Sequence, residues 1–131
     1  MSSWQAKIGS AVVRVHQQLG VQSEAIMQKA LAAELQAQGF HVVCEVPVVV
    51  QYTTSLGQTV AVGTVRLDIE ATTPAGDVHV LELKVTASKT AAAAAAAAES
   101  QVYKYAALLP QCTGLHLVVF AADGPTLTHV P

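Results

Sequence analysis

The chain has 131 residues and a net charge of −2, with seven basic side chains spread thinly along it, so it lacks the basic surface by which a protein holds nucleic acid through bulk electrostatics alone. A single domain over residues 1–131 is the economical reading, large enough to bury roughly two-thirds of its unfolded surface without disulfide or metal staples. Cys44 and Cys112 form neither a disulfide framework nor a metal-ligand spacing; Cys44, inside an apolar run, reads as a small core residue. No apolar stretch approaches the roughly 18 residues of a membrane span, and the N-terminus has no secretory h-region. An intracellular protein, cytoplasmic or nuclear, is expected.

In chain order, Trp4, Ile8, Val12, Val15 and Leu19 recur at helical spacing. That pattern assigns the acid-poor N-terminus to a helix of the domain rather than to a transit peptide of similar composition. The stripe of Ile26, Ala30, Leu31 and Leu35, with Met27 beside it, continues the pattern, so residues 4–38 are predicted helical, broken or bent near Gly20, with Gly39 as the residue after the cap. "FHVVCEVPVVVQY" has the β-branched density of a strand, and Pro47 places that strand at an edge or a bulge. "SLGQ" turns into a second strand over 59–71, and "TPAGD" turns into a third over 78–87. A second helix is predicted from about 89 to Leu109, closed by Pro110. Its alanine tract, Ala91 to Ala98, extends it at little entropic cost. "GLHLVVFAA" gives a fourth strand and "PTLTHV" a short fifth. The order α-β-β-β-α-β, with a final strand, describes an α/β or α+β fold: an antiparallel meander whose sheet is covered by helices.

The chemistry concentrates in "VRLDIEATTPAGDVHVLELKV", residues 65–85. Side chains two apart in a strand share a face, so Val65, Leu67 and Ile69 are expected to point one way and Arg66, Asp68 and Glu70 the other. Leu81, Leu83 and Val85 likewise oppose Glu82 and Lys84. Pairing through the turn sets Asp68 beside Glu82 on the face away from the core. Two carboxylates a few ångströms apart repel unless a positive charge lies between them, and Mg²⁺ takes one or two carboxylates while keeping several waters. Lys84, one strand repeat on, is placed to orient a water or offset charge on phosphorus. The ordinary alternative is the wet side of a hairpin with a cross-strand ion pair.

Neighbouring residues bear on that choice. Val15-His16, Leu19-Gly20, Glu24, Ala30-Leu31, Glu34-Leu35 and Gly39 are followed by Glu45-Val46-Pro47-Val48 and Tyr52. Gly63, Arg66-Leu67-Asp68-Ile69, Leu81-Glu82-Leu83-Lys84, Gln101 and Tyr105 continue the series. In this order the chain resembles the PD-(D/E)XK nuclease superfamily, and more narrowly its small GxxExxY-type branch, over about residues 5–121. The resemblance implies a restriction-endonuclease-like core with a mixed central sheet flanked by helices. It implies a Mg²⁺-dependent nuclease, with Mn²⁺ substituting, acting on DNA before RNA. Asp68 and Glu82 would be direct metal ligands, and Glu24 an outer ligand or the holder of a water. Lys84 would position the attacking water and Gln101 would bond Lys84 or a phosphate. Three features depart from the branch pattern. Val21 and Met27 occupy its Gly and Tyr positions, the interval to Glu24 is one residue short, and the alanine tract lengthens the path from Lys84 to Gln101. His16 is expected to pack or cap. His41, His79, His116 and His129 share no ligand spacing, and none is assigned to a metal. The acidic balance supports a competing reading, a catalytically silent binding or regulatory module. A homodimer would instead gather Arg66, Lys84, Lys89 and Lys104 on one surface.

Overall fold

A computed structural model describes residues 3–86 and 112–130. The predicted helix over 89–109, the alanine tract, Gln101 and Tyr105 lie outside the described residues. The first predicted helix breaks rather than bends. Helix α1 (Ser3–Leu19) ends at Gly20, whose φ of 66° suits glycine. Helix α2 (Glu24–Ala37) begins at Ser23, whose hydroxyl accepts the Ile26 N–H at 3.3 Å.

Five strands follow: β1 (His41–Thr53), β2 (Thr59–Thr72), β3 (Val78–Thr86), β4 (Gly114–Ala121) and β5 (Gly124–Val130). They form one mixed sheet in the order β1-β2-β3-β4-β5, antiparallel throughout except for the parallel β3–β4 pair. Pro47 lies on the edge strand, as its missing N–H requires. Among the described residues no helix is long and apolar enough to cross a membrane.

Both faces of the sheet are buried. On one, Ile8, Val12, Leu31 and Leu35 of the helices pack on Ile69, Leu81, Leu83, Val118 and Phe120. On the other, Leu67, Val80, Leu115, Leu117, Val119 and Ala121 cluster, with Val46 and Val48 against them. His16 packs as expected, its Nε2 lying 2.9 Å from the Ala121 carbonyl and its ring stacked on Phe120.

These two clusters correct the expected alternation. Ile69 belongs to the helix-covered face, whereas Leu67 belongs to the opposite one. On β1, Val42 and Val46 divide in the same way. Both changes of face fall at Glu45 and Asp68, bracketed by the pairs Cys44↔Ile69 and Val46↔Leu67. Glu45 has φ 56°, in the left-handed region that a side chain makes costly. This local twist turns the outer hairpin over relative to the sheet. Cys44 is exposed on this edge strand, contrary to its reading as a core residue.

Candidate active site

Strands β2 and β3 pair only from Thr72↔Val78 to Ile69↔Leu81, and Asp68 and Glu82 lie just beyond the last pair. There the carboxylates replace the ladder. The Asp68 N–H donates to Glu82 Oε1 at 3.4 Å, and the Leu83 N–H donates to Asp68 Oδ2 at 2.7 Å. A buried backbone N–H needs an acceptor, so the two acids satisfy groups that the diverging strands leave without strand partners.

Neither the non-core face expected for the pair nor its alternative, the wet side of a hairpin, describes Glu82, because β3 is covered on both sides. Glu82 pairs in register with Leu117 and is only 9% exposed. Burial, followed by the charge of Asp68, pushes its carboxyl up to about 8. Burial also raises Asp68, while the Leu83 N–H opposes that rise and the charge of Glu45 adds to it. The two side chains share a hydrogen bond that favours ionised Asp68 and protonated Glu82. One proton between two carboxyls is the physical answer to like charges at close range.

Glu24 and Lys84 complete the group. Glu24 is the first residue of α2, where the helix dipole favours an anion. Burial raises its carboxyl, then the charge of Asp68; Lys84 lowers it and Glu45 raises it. Lys84, exposed on β3, lowers all three acids. Asp68 and Lys84 thus lie within electrostatic reach of both Glu82 and Glu24, while Gln101 lies outside the described residues. Glu45, opposite Asp68 across the β1–β2 ladder, joins the group although no motif spacing marks it. The only hint was its place opposite Asp68, which strand register reveals and alternation does not.

Among the described residues no three Asp, Glu, His or Cys side chains are already arranged around one metal position. What is present is a two-carboxylate fork, with Glu24 and Glu45 adding negative charge and Lys84 positive charge. That donor set fits a hard divalent ion retaining much of its water.

A second cluster escaped the sequence reading. His79 Nδ1 lies 3.0 Å from His116 Nε2, and His116 Nδ1 meets His129 Nδ1. Neighbouring strands assemble residues with no recognisable spacing along the chain. Burial, then His129 and His79, lowers His116 to about 3; burial lowers His79, and Asp77 opposes that shift. A Cβ at Gly114 would come within 2.9 Å of His116 Nε2 and 3.0 Å of His79 Nδ1, so only glycine leaves room for the pair.

A mixed five-stranded sheet with helices on it, opened between two strands at an acidic pair, defines an α+β protein of the restriction-endonuclease-like class. A family model of the PD-(D/E)XK nuclease superfamily matches residues 2–126, and the chain belongs to that superfamily. The structure titled "Crystal structure of SSO0001" superposes with a TM-score of 0.55 at 17% identity, covering 94% of this chain and 65% of that one. At that identity the likeness is one of fold, and this chain spans 65% of the other's length. A chain of the "cryoEM structure DrdV-DNA complex" aligns at 15% identity over 98% of this chain and 12% of its own, with a TM-score of 0.39. No curated protein matches the sequence.

Proposed function

We propose that this chain, acting as one intracellular domain of the GxxExxY-type branch, is a Mg²⁺-dependent nuclease that hydrolyses phosphodiesters of DNA, or of RNA as a second choice. The observation that carries the reading is the meeting of Asp68 and Glu82 at the β2–β3 fork, with Lys84 acting on both. Asp68 and Glu82 would hold the cation, with Glu24 beyond them, and Mn²⁺ would substitute. When bound, the cation supplies Lewis acidity toward a phosphate oxygen. Lys84 orients the attacking water and offsets charge developing on the phosphoryl oxygens. Gln101 is assigned to Lys84 or a phosphate on the resemblance alone. The net charge of −2 favours short or single-stranded substrates, or a dimer that pools Arg66, Lys84, Lys89 and Lys104.

The test is a fluorogenic nuclease assay with Mg²⁺ or Mn²⁺. Asp68→Asn and Lys84→Ala are each expected to lower turnover by about 10²–10³-fold, the usual effect of deleting a group that stabilises charge in the transition state. Full-rate cleavage by both variants would remove the assignment. The same acidic balance favours the competing binding module. Absence of turnover in the native chain, together with a melting-temperature rise in Mn²⁺ that Glu82→Gln abolishes, would select that reading.

Glu45 supplies a separate test. Asn accepts a positive φ more readily than Glu, so Glu45→Asn should stabilise the metal-free protein by about 1 kcal/mol. It also removes an anion facing Asp68, and Mn²⁺ affinity should fall. Calorimetric melting and titration read the two effects; a loss of stability with unchanged affinity contradicts both.

A further inference from the structure

We propose that His116 and His129 form a chelating pair for a transition-metal cation of the Zn²⁺, Ni²⁺ or Cu²⁺ class, which clips the edge strand β5 to β4. The two are register partners across that antiparallel pair, where side chains directly opposite stand about 5 Å apart at Cβ. Their Nδ1 atoms meet, with the rings at 85° to each other. Both belong to the helix-covered face, where Leu81, the register partner of His116, and Leu127, next but one to His129, also pack. Spacing along the chain marks neither as a ligand, whereas strand register brings them together.

A proton count shows what lies between the rings. A neutral imidazole has one N–H and one lone pair. His116 Nε2 lies 3.0 Å from His79 Nδ1. With the N–H of His116 donated to His79, its Nδ1 presents a lone pair to His129 Nδ1. A proton of His129 fills that gap in the metal-free protein, and a cation takes the proton's place. Metal-binding histidines characteristically donate their second nitrogen to an acceptor that fixes tautomer and ring orientation. His79 is that acceptor here, and Gly114 leaves it the room.

The two ligands differ in the way a clip needs. His116 is 1% exposed, and burial followed by the neighbouring histidines keeps it neutral, the form that ligates. His129 is exposed on the outermost strand. Drawing it back by about an ångström leaves room for two metal–nitrogen bonds of about 2.0–2.1 Å, with water in the remaining positions. Imidazole nitrogens suit Zn²⁺, Ni²⁺ and Cu²⁺, whereas the carboxylate fork suits Mg²⁺. The charges acting on His116 are those of His129 and His79, and those acting on His79 are Asp77 and His129, so the fork is not part of this group. Bound metal adds its binding free energy to folding, and the strand it secures is paired on one side only. The proposal is independent of the nuclease reading.

Ni²⁺ titration of the untagged full chain, read by calorimetry and melting temperature, tests it. Asp68→Asn, which disables the fork, is expected to bind one Ni²⁺ and to melt about 5 °C higher when saturated. Asp68→Asn/His129→Ala, changed further only at an exposed position, is expected to lose both effects. Asp68→Asn/His41→Ala, which removes the exposed histidine of β1, is expected to keep them. In the native chain loaded with Cu²⁺, electron paramagnetic resonance should show two imidazole nitrogens on one ion, a signal that His129→Ala loses. No Ni²⁺ binding by Asp68→Asn, equally tight binding after His129→Ala, loss of binding with His41→Ala, or the single-nitrogen signal of a lone surface histidine would each overturn the proposal.

Discussion

Glu82→Gln is expected to make the metal-free protein more stable than the native chain at pH 8–9, and to leave it unchanged near pH 4.5. Glu82 is nearly enclosed, and burial followed by the charge of Asp68 raises its carboxyl to about 8. In the unfolded chain it titrates near 4.5. Between these values the unfolded state binds fewer protons than the folded one, so stability falls as pH rises. The loss runs at up to about 1.4 kcal/mol per pH unit and totals roughly 3–5 kcal/mol above pH 8. Gln keeps an oxygen for the Asp68 N–H and presents an N–H where protonated Glu82 presents its hydroxyl, without a charge to desolvate. Urea unfolding with a chelator from pH 4.5 to 9 reads the difference. Parallel curves for the two proteins would show that Glu82 is not held protonated. With Mn²⁺ present the native curve should recover at high pH, since a ligand that requires both carboxylates ionised gains affinity as the proton leaves. Glu82→Gln should not recover, and that separates a cation at the fork from a general salt effect.

The acidic fork and the histidine chain show which part of a strand pattern is legible. "VRLDIE" alternates without fault, and from alternation alone Leu67 and Ile69 belong together. The bending element lies elsewhere: Glu45 opposite Asp68 takes a left-handed φ, and no local residue preference announces it, because Glu is a poor choice for that conformation. Reading Cys44 as core failed for a different reason: β1 is the edge strand, and position along the chain does not say which strand is at the edge. The strands were nevertheless readable within a residue or two, because β-branched runs and Gly-containing turns such as "TPAGD" act over short range. Gly76 there has φ 94° and Thr73 closes the turn onto Asp77. The acidic pair was readable because one tight turn joins its strands. His79, His116 and His129 come together only once β3 and β4 lie parallel and adjacent, which spacing along the chain does not encode. Glu24 was reached through resemblance and not through pattern, since an exposed acid at a helix start is ordinary.

His116 should govern the opposite end of the pH range. It is 1% exposed, and burial followed by His129 and His79 holds its imidazole down to about 3, against 6.5 unfolded. Below pH 6.5 the unfolded state therefore binds more protons, and stability falls with falling pH until about 3, again by roughly 3–5 kcal/mol in all. His79 adds to this limb, its burial outweighing the favourable charge of Asp77, while Phe40 and the His116 ring pack on it. Neutral His116 carries one N–H and one lone pair, so it donates to one neighbour and accepts from the other. A second proton would turn an acceptor into a donor within the chain. Between pH 4.5 and 6.5 the two effects act in opposite directions: the imidazole favours higher pH and Glu82 favours lower. The native protein should therefore show a plateau there, falling away on both sides. His116→Gln should lower stability overall by opening space in the core, and that loss is not the informative quantity. The informative quantity is the tilt, since with the imidazole gone stability should decline with pH across the plateau, while in Glu82→Gln it should climb. Urea unfolding at half-unit pH steps resolves slopes of this size. A plateau equally flat in both variants would mean that neither buried group titrates as its surroundings require.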